Sequence, residues 1–209
     1  PVWPLWRLDA RHAEVVPWTG RGRLFDFGCG GGAFLLAMRQ LGWTVSGADL
    51  SPQAVAACQR AGLDVRQGTF PMPSLAPESF DVVTMRHSLE HTPQPRQIIA
   101  EARRILAPGG LLFIGVPLFD SWASQWFGPD SFSLDLPRRL NHFTRHSMTR
   151  LLASQGFTRI RFFGSRRRSA WTRSHELRRK RLGRRPFPLP SLAARALEAL
   201  AAATLHPSH

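Results

Sequence analysis

The chain has 209 residues, of which 43% are hydrophobic and 20% are charged, and its net charge is +14 at pH 7. This length suits one α/β domain with an appendage, and the apolar content is enough to bury a core. No uninterrupted apolar run reaches the roughly 20 residues of a transmembrane helix, and the first residues lack a signal-peptide pattern. Cys29 and Cys58 occupy no metal-binding or redox spacing, so we expect a reduced cytoplasmic protein.

The positive charge is concentrated near the C-terminal end. Residues 159–185 contain twelve basic residues and one acid, Glu176, so this segment contributes +11 of the net charge. A solvated, arginine-rich segment is the favoured interpretation. Weak contact of residues 159–205 with the inner membrane surface comes second, because cations attract anionic lipid. Nucleic acid is the least favoured partner, because no nucleic-acid-binding module accompanies the run and aromatic residues such as Trp171 are sparse within it.

Strand-like and helix-like segments alternate from residue 23 to residue 163. The predicted strands are 23–27, 44–48, 63–67, 80–85, 111–116 and 159–163. The predicted helices are 33–41, 52–61, 95–106, 144–155 and 192–205. Ser51 is an N-cap before Pro52, and Gly156 follows the fourth helix. The pattern predicts an α/β fold with a Rossmann-like, doubly wound and mostly parallel sheet, helices on both faces and a basic C-terminal extension.

Composition divides the chain into three predicted regions. Residues 1–20 contain three tryptophans among prolines and are expected to cover the domain. Residues 21–164 form the ligand-binding domain, and residues 165–209 form a basic linker and a C-terminal helix. Residues 117–143 are rich in Phe, Trp and Pro, and a long irregular stretch of this kind is typical of a substrate lid.

A glycine cluster follows the first predicted strand. Residues 28–33 fit the pattern G-x-G-x-x-G/A, and Asp49 ends the second strand about 20 residues later, where an acid that binds ribose belongs. Glycines in such a turn allow the backbone to approach a ligand closely. Alone, the motif fits NAD as well as other adenosine ligands, and a purely structural turn stays open. Asp26 disfavours a pyrophosphate, because like charges repel.

Four separated motifs in order extend this pattern. They are residues 26–32, residues 45–51, residues 79–91 and residues 104–117. Together they resemble the class I S-adenosylmethionine-dependent methyltransferases over about residues 23–163, and in particular the bacterial groups that include the ubiquinone-biosynthesis O-methyltransferases. The resemblance implies S-adenosylmethionine (SAM) as cofactor and methyl transfer to a small-molecule or lipid- or glycan-linked acceptor, with oxygen as the expected acceptor atom.

The resemblance also implies which residues bind the donor. They are Asp26, Gly28, Gly30, Asp49, Leu50, Thr69, Phe70 and Arg86. In this interpretation the glycines approach the amino-acid tail, Asp49 accepts both ribose hydroxyls and Leu50 flanks the adenine. Thr69 stands where the family usually has an acid that contacts the adenine amine. For Asp26, a role in bracing the loop is an equal alternative.

Methyl transfer to a hydroxyl requires a base, and histidine is the usual one. His87 and His91 follow the fourth strand, and His142 lies at the end of the lid, so these three are the candidate catalytic residues. Residues 87–91 also fit H-x-x-E-H, a zinc-protease pattern. Because the pattern lies at a strand exit rather than on a helix, we predict no metal site.

Two other functions remain open at this stage: an oxidoreductase that uses an NAD-type dinucleotide, and a non-catalytic SAM-binding scaffold protein. The family sheet usually has a seventh, antiparallel strand, for which residues 165–171 are the one weak candidate.

Overall fold

The computed structural model describes residues 16–163 and 169–183, and the chain divides into two compact units, residues 1–116 and 117–209. The predicted helix 192–205 and most of the predicted covering segment 1–20 lie outside the described residues, as do residues 165–168, the first part of the candidate seventh strand. The three-region division predicted above stays a prediction.

The first unit contains a parallel sheet of five strands in the order β3-β2-β1-β4-β5. The strands are β1 (Arg23–Phe27), β2 (Thr44–Asp49), β3 (Asp64–Gln67), β4 (Phe80–Arg86) and β5 (Leu106–Gly115). β1 lies at the centre, and its apolar residues are fully buried, as expected of a strand covered on both faces. This is the Rossmann-like sheet that the alternating pattern predicts.

Three helices connect these strands: α1 (Ala33–Gln40), α2 (Pro52–Arg60) and α3 (Pro95–Ile105). The Ser51 hydroxyl accepts the Ala54 N–H at 3.2 Å, which confirms the predicted N-cap before Pro52. A short 3-10 turn, Leu89–His91, lies between β4 and α3. Apolar residues of α1, α2 and the first three strands pack into one core around Leu24 and Leu35.

The start of β5 differs from the prediction. We predicted that residues 108–110 stop a helix and that the strand begins at Leu111, but α3 already ends at Ile105 and β5 begins at Leu106. The proline and glycines lie in an irregularity of the strand, because the pairing with β4 jumps from Leu106 to Leu111. Gly109 has a φ of 73° there, which a glycine adopts without strain.

The predicted sixth strand is wrong. Residues 159–163 alternate arginine with apolar residues, which is the pattern of a half-buried strand. In the structure they form no strand, and Phe162 and Phe163 are exposed. The alternation produces a strand only where a neighbouring strand accepts its hydrogen bonds, and none of the described residues pairs with this segment.

The described part of the second unit contains three α-helices: α4 (Trp122–Phe127), α5 (Arg145–Ala153) and α6 (Ser169–Arg181). Ser121 caps α4, and Thr144 caps α5 through a reciprocal bond with Ser147. The predicted lid thus contains a short helix, and part of the predicted basic linker is helical. The candidate seventh strand ends inside α6.

Helix α6 packs on the segment around α4. The ring of Trp171 stacks on Trp122 with 5.1 Å between centroids, and the buried Asp130 carboxylate accepts hydrogen bonds from Arg178 and Arg181. Two cations of the basic run are therefore held in ion pairs. Within the described ranges, no helix is long and apolar enough to cross a membrane.

Candidate functional site

The order of the strands determines where a ligand binds to this sheet. The chain crosses from one side of β1 to the other, so β1 and β4 form the point at which the winding direction reverses. In open α/β sheets, ligands bind outside the carboxyl ends of the strands at this point. The glycine cluster follows β1 there and residues 87–91 follow β4, so both sequence motifs lie at one sheet edge.

Backbone hydrogen bonds fix the glycine loop. The N–H groups of Gly28 and Cys29 both donate to the Ala48 carbonyl oxygen, at 2.8 and 3.1 Å. Gly28 has a φ of 74°, and a Cβ built on it would lie 2.5 Å from the Ser88 Cβ. Glycine is therefore required at position 28 both by the backbone conformation and by the side chain that follows β4.

The carboxylate of Asp49 connects the glycine loop to the end of β2. One oxygen accepts the Gly30 N–H at 2.8 Å and the other accepts the Ser51 N–H at 2.9 Å. A carboxylate has about four acceptor sites, so these two bonds leave capacity for further donors. Asp49 can therefore hold the loop and also accept ribose hydroxyls.

The loop leaves space for a ligand on its open side. A Cβ built on Gly30 or Gly31 meets no heavy atom within 4 Å, whereas one built on Gly32 would lie 2.8 Å from the Cys58 Sγ. Leu50, which follows Asp49 in the chain, is 69% exposed. An open glycine backbone, a carboxylate with free acceptor sites and an exposed apolar side chain fit an adenosine ligand.

Asp26 lies buried beneath the loop on β1. Burial raises its pKa to about 6, against the effects of the Thr84 hydrogen bond and the Arg86 charge, both of which lower it. The Thr84 hydroxyl donates to Asp26 Oδ1 at 2.6 Å, and the nearby Asp49 carboxylate raises the pKa further. A buried acid in this state is stabilised in its charged form by any cation that binds above it.

The remaining predicted donor residues lie in different surroundings. Phe70 is buried and packs on Phe27 with 4.7 Å between ring centroids, so its ring supports the end of β1. Thr69, next to it, is exposed. The Arg86 guanidinium lies over the Phe34 ring at 4.3 Å, at the start of α1. Their roles toward the donor stay predictions.

Two cysteines lie against the glycine loop, and neither has a role that could be predicted from the sequence. The thiols of Cys29 and Cys58 both donate to the Gly30 carbonyl oxygen, at 3.8 and 3.3 Å. Burial raises the pKa of both thiols, which keeps them protonated and unreactive. They support the loop by packing and weak hydrogen bonds.

A buried glutamate lies between the two histidines that follow β4. Glu90 is 1% exposed, and its Oε1 lies 3.4 Å from His87 Nδ1 and 4.0 Å from His91 Nε2. The backbone of His87 has a φ of 56° and donates its N–H to Gly115 on β5 at 2.8 Å. The structure therefore brings His87, Glu90 and His91 together; the sequence predicted the two histidines but gave the glutamate no role.

His142 belongs to the second unit. Its Nε2 lies 2.9 Å from the Leu134 carbonyl oxygen, and its ring meets Phe119 edge-on. Among residues 16–163 and 169–183, no group of three or more His, Cys, Asp or Glu side chains could hold a metal ion.

Solved structures share this architecture. A SAM-dependent methyltransferase from Archaeoglobus fulgidus is similar with a TM-score of 0.59, at 17% sequence identity over 88% of this chain and 80% of that one. At that identity the likeness shows the fold alone. The class is that of Rossmann-like α/β proteins with a glycine loop at the point where the winding direction of the sheet reverses.

The sequence gives the family within this class. Residues 8–161 match the family described as "Methyltransferase domain", and the chain belongs to it. The donor is therefore S-adenosylmethionine, and the alternative of an NAD-type oxidoreductase is set aside.

Curated relatives agree with this family. The chain is 40% identical to a ubiquinone biosynthesis O-methyltransferase of Pseudomonas entomophila over 48% of its length and 46% of the relative's. It is 36% identical to one of Xanthomonas oryzae pv. oryzae over 66% of its length and 60% of the relative's. The chain thus spans about half to three fifths of the curated relatives it matches.

Proposed function

We propose that this protein transfers the methyl group of SAM to an oxygen atom of its acceptor, with His87 as the base. The observation that carries this proposal is the His87–Glu90 contact at the end of β4. SAM supplies a methyl group already activated on a sulfonium. The protein therefore has to bind the donor, orient the acceptor and take up one proton.

We assign the donor to the glycine loop and its neighbours. Asp49 would accept the ribose hydroxyls, and the Asp26 charge would favour the cationic end of the donor. The full assigned set is Asp26, Gly28, Gly30, Asp49, Leu50, Thr69, Phe70 and Arg86. The open space at Gly30 and the free acceptor sites of Asp49 support this assignment.

His87 suits the role of base better than the other candidates. Its side chain is 49% exposed, and Nδ1 faces the buried Glu90 carboxylate, which leaves Nε2 for an acceptor hydroxyl. In the transfer, the acceptor oxygen bonds to the methyl carbon, the carbon–sulfur electron pair stays on sulfur, and the hydroxyl proton passes to His87. His91 lies farther from Glu90, and His142 Nε2 already contacts a backbone carbonyl.

The curated relatives support oxygen as the acceptor atom, because they are named O-methyltransferases. The test supplies SAM labelled with ¹³C in its methyl group to the protein, together with small-molecule and lipid fractions of a cell extract. The ¹³C chemical shift of the product identifies the atom that carries the methyl group. We expect an O-methyl product; a methyl group on nitrogen, carbon or sulfur contradicts the proposal.

Variants of the two histidines that follow β4 show which of them acts as the base. His87→Gln should lower kcat by about 100-fold or more, because general-base catalysis contributes on the order of 10²–10⁴. His91→Gln is the matched control and should leave kcat within about threefold. The reverse ranking would assign the base to His91.

A lipid-linked acceptor is supported by the second unit. Trp122 and Trp126 on α4 are 49% and 58% exposed, and their rings stack with 5.6 Å between centroids. Trp122 also stacks on Trp171 of α6, on which Lys180 is exposed. Indoles beside cations fit the headgroup region of an anionic bilayer. Because the rings stack on one another, fewer ring faces remain for bases of a nucleic acid.

Sedimentation with vesicles tests this surface. The full chain should bind phosphatidylglycerol vesicles more tightly than phosphatidylcholine vesicles. Lys180→Glu should weaken binding at least about fivefold, because each cation near such a surface contributes about 1 kcal/mol. Trp126→Ser should weaken it as well, and Arg60→Glu on α2 is the charge control. Retention of single-stranded RNA without binding to vesicles would favour nucleic acid instead.

A further inference from the structure

The loop between β3 and β4 is anchored at both ends, although it contains no helix or strand. It spans residues 68–79 and carries Thr69 and Phe70, which we assign to the donor site. At its start, the Gly68 N–H donates to the Asp49 backbone carbonyl at 3.0 Å. Phe70 then packs its ring on β1, against Phe25 and Phe27. The start of the loop is therefore tied to the same residue that holds the glycine loop.

The following part of the loop is held by an ion pair on α3. The buried Glu101 carboxylate accepts the Met72 N–H at 2.9 Å. Arg104 donates to the Leu75 carbonyl at 2.8 Å and to the Met72 carbonyl at 3.3 Å. Two side chains on adjacent turns of one helix thus satisfy three backbone groups of the loop.

The two side chains also hold each other in place. Arg104 Nε lies 2.8 Å from Glu101 Oε2, and Arg104 Nη2 lies 2.7 Å from Glu101 Oε1, which is the fork geometry that gives an arginine–carboxylate pair its direction. The Arg104 guanidinium holds the pKa of Glu101 below its usual range, so the carboxylate stays charged. A charged, directional contact of this kind fixes a backbone more narrowly than an apolar contact does.

We propose that Glu101 and Arg104 are positioning residues for the adenine of the methyl donor. They touch neither donor nor acceptor; they hold the loop that carries Thr69, the exposed residue that we assign to the adenine side of the donor site. Without the pair, Met72 and Leu75 lose their side-chain partners and the loop gains freedom that donor binding must then remove. The proposal rests on the donor site assigned under Proposed function.

Calorimetry with two ligands tests it. S-adenosylhomocysteine has the adenine, whereas S-ribosylhomocysteine is the same molecule without it. The wild-type protein should bind the first more tightly. Glu101→Gln and Arg104→Lys should each raise the Kd for S-adenosylhomocysteine about tenfold, which corresponds to ~1.4 kcal/mol, and leave the Kd for S-ribosylhomocysteine unchanged. Arg103→Lys, an exposed neighbour on the same helix, should change neither value.

Each other outcome overturns the proposal. If both Kd values rise by the same factor, the pair supports the fold in general and does not position the adenine. If neither Kd changes in folded variants, the loop does not need the pair. If the wild-type protein binds both ligands equally, the adenine side of the donor site is wrong; this failure is visible before any variant is made.

Discussion

The Thr84 hydroxyl on β4 donates to the Asp26 carboxylate on the neighbouring strand β1 at 2.6 Å, and both side chains are buried. This bond joins the two strands at which the winding direction of the sheet reverses. It also compensates only part of the cost of burying a carboxylate, because the pKa of Asp26 remains raised, at about 6. The charge of Asp26 is therefore unfavourable in the free protein.

Asp26→Asn should stabilise the free protein at neutral pH. An acid whose pKa rises on folding does not destabilise the folded state below its unfolded pKa. Its destabilising effect grows as the pH rises and is complete above the folded pKa. Above pH 6 the variant should gain up to about 3 kcal/mol, and the gain should shrink as the pH falls toward 4. Thermal unfolding at pH 7.5 and pH 5 measures this. The same variant should bind SAM more weakly, because it lacks the charge that we assign to the cationic end of the donor.

Alanine substitutions in the glycine loop should distinguish the glycine that the fold requires from the glycine that leaves space for the ligand. Gly28→Ala places a methyl group 2.5 Å from Ser88 Cβ at a φ of 74°, so we expect a loss of more than about 2 kcal/mol in unfolding free energy. The methyl group of Gly30→Ala meets open space. This variant should therefore lose only about 1 kcal/mol of unfolding free energy, because alanine is strained in the left-handed backbone conformation of this position. It should nevertheless raise the Kd for S-adenosylhomocysteine, because the methyl group fills the open side of the loop. Denaturant unfolding and calorimetry together give both values.

Asp49→Asn should weaken donor binding more than it weakens the fold. An amide presents one acceptor oxygen and one donor nitrogen, so either the Gly30 N–H or the Ser51 N–H loses its partner, and a ribose hydroxyl loses an acceptor site. We expect the Kd for S-adenosylhomocysteine to rise at least about tenfold. Asp64→Asn at the exposed start of β3 is the control. Equal effects of the two variants would contradict the role of Asp49.

Asp130→Asn should loosen α6 from the segment around α4. Hydrogen bonds from Arg181 and Arg178 hold the pKa of Asp130 below its usual range. Its stabilisation is therefore present above the unfolded pKa and is lost as the pH falls through the folded value. Trypsin should cut at Arg178–Arg181 faster in the variant than in the wild-type chain at pH 8. No change in the cleavage rate would show that the stacked Trp122 and Trp171 suffice to hold the helix.

The elements of the first unit could be predicted from the sequence because each carries its own signal. β1 has the predicted bounds, and the Ser51 cap was visible from the serine–proline pair. Helix α4 lies inside the predicted lid and was not predicted, although Ser121 caps it. A helix this short has too few turns to show a helical spacing of apolar residues in the sequence. Helix α6 was missed because the aromatic residues that bury its Trp171 lie about 50 residues earlier in the chain.

The candidate site was predictable only in part. The glycine loop and Asp49 follow a spacing that a sequence displays, whereas Glu90 and Glu101 look like ordinary surface acids until their burial is known. Phe70 stands at the sequence position of an adenine neighbour, and only the structure shows that its buried ring packs on Phe25 and Phe27 of β1. Spacing places a residue at the correct sheet edge, and it carries no information on which way the side chain turns.

The Ala48 carbonyl accepts hydrogen bonds from two N–H groups of the glycine loop, and the Asp49 carboxylate accepts one from a third. We therefore expect the loop backbone to keep this shape when the donor binds. Binding should proceed without a slow rearrangement step, and the backbones of the free and donor-bound protein should superimpose at residues 28–32. The heat-capacity change on binding should then correspond to the ligand surface that is buried, with no contribution from folding of the loop.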